Sequence, residues 1–103
     1  VKDIVKVMLW CLDHPSVSGL FNLGTGQASS FNAMAKAIFA ALDRAARIGY
    51  IDIPPNIAKK YQYFTEAKMD RLRAAGYTEP FTSVQDGIKD YVQNYLLKED
   101  PYL

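Results

Sequence analysis

The stretch with most capacity for binding chemistry is Lys59-Lys60-Tyr61-Gln62-Tyr63-Phe64-Thr65. It brings together two cations, two phenols and an amide. Such groups stack on a base or hydrogen-bond a sugar and phosphate. Spacing alone leaves a second reading open, a surface loop with one buried aromatic. Gly24-Thr25-Gly26 resembles part of a dinucleotide fingerprint, but the third small position holds Ser29, and the acidic residue nearest the expected spacing does not follow a second strand. Asp43 has the right separation and falls at a helix end instead. The loop reads as a tight turn that starts a helix, or as amides bordering a polar ligand.

The remaining polar candidates have plainer readings. Asn22 is the one polar residue of an apolar run. Its amide either satisfies nearby backbone groups or borders a sugar or nucleotide pocket. His14 precedes a proline at a helix end, with no nucleophile assignable to it. Cys11 sits on an apolar face, and Asp3 stands in a first helical turn, where a carboxylate suits the dipole. Asp86 and Asp90 read as a wet face, and Tyr91 and Tyr95 as core. No tyrosine is followed four residues later by a lysine, so no catalytic set is assembled.

These residues need elements to hold them. Ile4, Val7, Met8, Cys11 and Leu12 recur at helical spacing over Lys2–Asp13, and Val5, Leu9 and Trp10 widen the stripe nearly all round. His14-Pro15 ends that helix. So apolar a helix needs a neighbour, either another domain or another subunit. Residues 19–24 read as a short strand. Ser29 or Ser30 caps a helix with Phe31, Met34, Ala35, Ile38, Phe39 and Leu42 on one face. Residues 48–52 read as a second strand, stopped by Pro54-Pro55. Residues 57–63 suggest a helical turn and an extended piece. Thr65 is placed to cap a short helix to Ala75, with Gly76 just beyond it. Thr82 and Gln85 have capping-box spacing ahead of a last helix carrying Val84, Ile88, Tyr91, Val92 and Tyr95. The expected class is α/β, close to α+β: about four helices and two or three short strands. Residues 98–103 form a polar tail expected to fray.

Composition narrows the classes. The 103 residues are 50% hydrophobic and 22% charged, which suits a globular chain rather than a disordered one. A net charge of +1 argues against nucleic-acid binding driven by phosphate contacts. One Cys and one His provide neither an internal disulfide nor a Cys/His zinc set. No apolar run approaches the roughly 18 residues that span a membrane. A compact monomer of this length should expose about 5,800 Å². With Val1 already in a helical pattern, the expectation is an intracellular domain cut on its N-terminal side.

Several stretches together resemble a known family. Val1-Lys2-Asp3-Ile4-Val5 and Phe21-Asn22-Leu23-Gly24-Thr25-Gly26 are similar to segments of extended short-chain dehydrogenases/reductases that act on nucleotide sugars. Ser18 to Gly26, Tyr61-Gln62-Tyr63-Phe64-Thr65, Leu72-Arg73-Ala74-Ala75-Gly76-Tyr77 and Pro80-Phe81-Thr82 look, in that order, like the ADP-heptose 6-epimerase family. The block from Arg71 to Thr82 is the most specific. The resemblance implies an NADP-dependent isomerase of lipopolysaccharide core synthesis. Residues 1–97 would be its C-terminal substrate-binding portion. The Rossmann domain, with the NADP site and the catalytic Tyr/Lys pair, would lie upstream and partner this portion. It further implies ADP-heptose as substrate, a cytoplasmic homo-oligomer, and no nucleic-acid or membrane partner. Tyr61 matches the family's substrate-contacting tyrosine. Lys60 stands where the family often has Arg, so no bidentate phosphate role carries over to it. Alternatives are another nucleotide-sugar epimerase or dehydratase, or a free-standing interaction module that docks through its first helix.

Overall fold

The computed structural model describes residues 1–100; positions 101–103 of the expected tail lie outside the described residues. The helices are α1 (Lys2–Asp13), α2 (Phe31–Ala41), α3 (Pro55–Ala58), α4 (Asp70–Ala74) and α5 (Val84–Tyr91), with a π-helical turn at Val92–Leu96. No strand forms among the described residues, which corrects the α/β expectation to a mostly helical fragment. Residues 19–24 and 48–52 are apolar, as strands are, but a strand also needs a partner for its backbone groups. Leu20 and Ile51 accordingly stay in water, Ile51 at 93% exposure.

The chain packs as two compact units, each built from two separate stretches. One comprises Val1–Ala28 and Glu66–Thr82; the other comprises Ser29–Thr65 and the residues from Ser83 onward.

In the first unit, Val7 of α1, Leu72 of α4 and Tyr77 form the buried core. Trp10, Cys11, Phe21, Leu23, Met69 and Phe81 pack against it. Helix α1 ends at His14 before Pro15, as expected. It buries only Val7 fully, while Met8, Leu9 and Leu12 remain exposed. Helix α4 closes with both bonds of a Schellman motif. Tyr77 N–H reaches Leu72 O at 3.3 Å and Gly76 N–H reaches Arg73 O at 3.0 Å. Gly76 has φ +109°, a conformation that only glycine adopts without strain. Tyr77 and Leu72 meet in the core, the apolar contact that accompanies this motif. Helix α4 starts at Asp70, not near Thr65, whose Oγ1 donates to Gln62 Oε1 at 3.4 Å.

In the second unit, α2 packs on α5 and the π-helical turn, with Ala41 and Val92 buried. Ser30 Oγ accepts from Ala33 N–H at 3.1 Å, selecting Ser30 over Ser29 as the cap. The C-terminus of α2 repeats the α4 ending with Asp43 at φ +53° in place of glycine. Asp43 N–H bonds Ala40 O and Arg44 N–H bonds Phe39 O. Gln93 Nε2 also donates to Ala41 O at 3.0 Å, satisfying a carbonyl that the helix end leaves open.

The cap of α5 falls one residue later than the Thr82 spacing suggests. Ser83 Oγ accepts from Asp86 N–H at 3.0 Å and donates to Asp86 Oδ2 at 2.6 Å. Thr82 is engaged elsewhere: its N–H and hydroxyl both donate to the Asp3 carboxylate, at 2.8 and 3.0 Å.

Candidate functional site

Tyr61 lies in the irregular segment after α3, and Phe31 is the first residue of α2. Their ring centroids are 6.4 Å apart at a 43° tilt. The Tyr61 ring also meets Tyr63 edge-on at 5.4 Å. Tyr61 is thus the middle member of three aromatic rings, all in the second unit. Its own exposure is 37%, against 69% for Phe31 and 79% for Tyr63. Lys59 and Lys60 precede it and are exposed. The patch offers ring faces, two phenols and neighbouring positive charge, a combination suited to a flat anionic ligand. The sequence pointed to Tyr61 and Tyr63. Phe31 read there as a core residue of α2, and its place at the exposed start of the helix was the signal that it could face outward.

The other candidates are occupied by their own chain. The Gly24-Thr25-Gly26 loop lies flush against residues 66–69. A Cβ on Gly24 would stand 2.8 Å from the Ala67 Cβ, and one on Gly26 3.2 Å from Met69 Cγ. Ala28 N–H, just beyond the loop, donates to the Glu66 carboxylate at 3.1 Å. Thr25 Oγ1 closes the turn by donating to Gln27 O and accepting Gln27 N–H. The tight turn expected from the sequence is observed. Asn22 Nδ2 points to Lys68 O at 3.5 Å, the structural alternative again.

His14 stacks on Trp10 with ring centroids 4.4 Å apart. Its Nδ1 lies 2.8 Å from Trp10 O; a carbonyl only accepts, so Nδ1 carries the proton. Asp86 takes the Ser83 hydroxyl, and Asp90 accepts from Asn94 Nδ2 at 2.8 Å. Tyr91 and Tyr95 stack at 5.9 Å, with Tyr91 more exposed than a core residue. Among the described residues no group of His, Cys, Asp or Glu could hold a metal ion, and no helix is long and apolar enough to cross a membrane.

The acidity of the Asp3 carboxylate is set by its surroundings. Burial pushes its pKa up, but hydrogen bonds from the Thr82 backbone and hydroxyl, with Lys6 alongside, outweigh this and leave it lowered. Lys6 Nζ stands 3.7 Å from Asp3 Oδ1. This is a fold contact rather than a reactive group.

No family model matches the chain. Individual relatives do. The chain is 50% identical over all 103 residues to an ADP-L-glycero-D-manno-heptose-6-epimerase of Nitratidesulfovibrio vulgaris strain DP4, and covers 32% of that protein. It is 45% identical to the Fusobacterium nucleatum protein of the same name, with 100% of the chain and 33% of the relative aligned. The Alkalilimnicola ehrlichii protein is 42% identical over 89% of the chain, which is 28% of that relative. The chain therefore spans about a third of the length of the curated relatives it matches, and that third is C-terminal. Along its whole length the chain is similar to the C-terminal third of proteins named ADP-L-glycero-D-manno-heptose-6-epimerase.

Proposed function

We propose that residues 1–97 are the substrate-binding portion of an NADP-dependent ADP-glycero-manno-heptose 6-epimerase, a cytoplasmic homo-oligomer serving lipopolysaccharide core synthesis. The observation that carries this reading is the unbroken match at half of all positions to a relative so named. The enzyme inverts one carbinol carbon of the heptose, and the task of this portion is to hold the ADP-heptose. Tyr61, half-buried in its ring cluster with the phenol available, is the residue assigned to the substrate. The cofactor is assigned to the rest of the protein, since the one glycine loop here is filled by Ala67 and Met69.

The surface of the chain agrees with a larger whole. It exposes 8662 Å², about half again the roughly 5,800 Å² of a compact monomer of this length. Met8, Leu9 and Leu12 of α1 are the residues expected to pack against the remainder of the protein.

The test is Tyr61→Phe in the longer protein that contains this chain. It is expected to weaken ADP-heptose binding and leave NADP binding nearly unchanged, both by calorimetric titration. Equal loss of both ligands would contradict the assignment.

A further inference from the structure

Phe31 presents an unresolved physical problem. It is an apolar side chain at the start of α2 with 69% of its surface in water, yet its ring is held beside that of Tyr61. Tyr63, still more exposed, flanks Tyr61 on an edge-to-face contact. Leaving this much aromatic surface uncovered is unfavourable, at roughly 25 cal/mol per Å² of apolar area. The rings come from two separate stretches of chain, so their meeting is a product of the fold rather than of sequence adjacency. Apart from the two phenols, they offer π faces and few hydrogen-bonding atoms. A sugar or a phosphate would leave those faces largely unused, whereas a planar heterocycle covers them.

We propose that Phe31 and Tyr63 form, with Tyr61, a stacking platform for the nucleobase of the substrate. The proposal rests on the nucleotide-sugar reading above and deepens it: this patch grips the adenine end of ADP-heptose. Lys59 and Lys60, exposed and next to Tyr61 in the chain, supply positive charge for the diphosphate. Phe31 and Tyr63 are binding residues here and take no part in the chemistry at the heptose carbon.

The experiment compares two probes on the longer protein containing this chain: ADP, and ribose 5-diphosphate, which keeps the sugar and phosphates but lacks the base. Phe31→Ala is expected to weaken ADP binding about 5- to 150-fold, the range for losing one base–aromatic stack. Ribose 5-diphosphate binding should change less than about twofold, and Phe31→Tyr should restore ADP binding. Tyr63→Leu, at a position 79% exposed, gives an independent reading of the same loss should Phe31→Ala fail to fold. Unchanged ADP affinity in both alanine and leucine variants would overturn the platform while leaving the nucleotide-sugar reading intact. Equal loss of both probes would also overturn it, and would mark the rings as packing against the rest of the protein. A wild-type protein that binds neither probe would overturn the nucleotide-sugar reading itself.

Discussion

Gly24→Ala isolates a close approach that the sequence left undetermined. Gly24 has no positive φ, so alanine can adopt its backbone conformation; what opposes the new methyl is Ala67, whose Cβ lies 2.8 Å from where it would sit. Carbon atoms rest at about 3.5–4 Å, so the two segments must part by roughly 1 Å. Overpacking of this kind costs about 1–3 kcal/mol. Alanine also restricts the unfolded chain, which returns about 0.4–1 kcal/mol. The net loss expected is about 1–2 kcal/mol, or roughly 5–15 °C in Tm for a domain of this size. Trp10 is the single tryptophan and packs edge-on against Tyr77 at 5.5 Å within the same unit, so its fluorescence during urea unfolding follows the perturbed region. Adding Ala67→Gly removes the opposing methyl, and the double variant should be about 1 kcal/mol more stable than the sum of the single effects. A neutral or stabilising Gly24→Ala, or strictly additive variants, would refute the reasoning. In that case the loop is open, and its amides could meet a ligand after all.

Two other predictions concern stability. The Asp3 carboxyl has a lower pKa folded than unfolded, so its contribution is fully present above the ordinary carboxylate value and is lost as pH falls through the folded value. Asp3→Asn should therefore destabilise the chain at pH 7, with the difference from wild type shrinking below about pH 4 in urea titrations. The two helix endings should respond oppositely to substitution: Gly76→Ala, at φ +109°, should lose about 1–2 kcal/mol, whereas Asp43→Gly, at φ +53°, should gain up to about 1 kcal/mol.

Local signals in the sequence were largely reliable. The His14-Pro15 stop and the glycine after α4 each act within a few residues and are where the spacing put them, and the α2 cap is one of the two serines it offered. Apart from the Thr65 cap, what failed depended on distant partners. An apolar run between glycines becomes a strand only when another strand lies beside it, and residues 19–24 and 48–52 have none. Thr82 had the right spacing for a cap but is held by Asp3, 79 positions away, so Ser83 caps instead. The same applies to the site. Tyr61 was legible by its type and neighbours, and Phe31 was not, because only the fold brings α2 beside the residues after α3. The turn at the glycine loop was legible, but its packing against Glu66 and Ala67, some 40 positions on, was not.

The central claim is that this chain belongs to an enzyme acting at C6 of ADP-heptose. The most direct test is turnover of ADP-D-glycero-D-manno-heptose by the longer protein that contains it, with the 103-residue chain assayed alongside and products separated by chromatography. The account predicts conversion to the L-glycero epimer by the longer protein and none by the 103-residue chain. Failure of the longer protein to convert this substrate while it epimerises or dehydrates another nucleotide sugar, or conversion by the 103 residues alone, would contradict it.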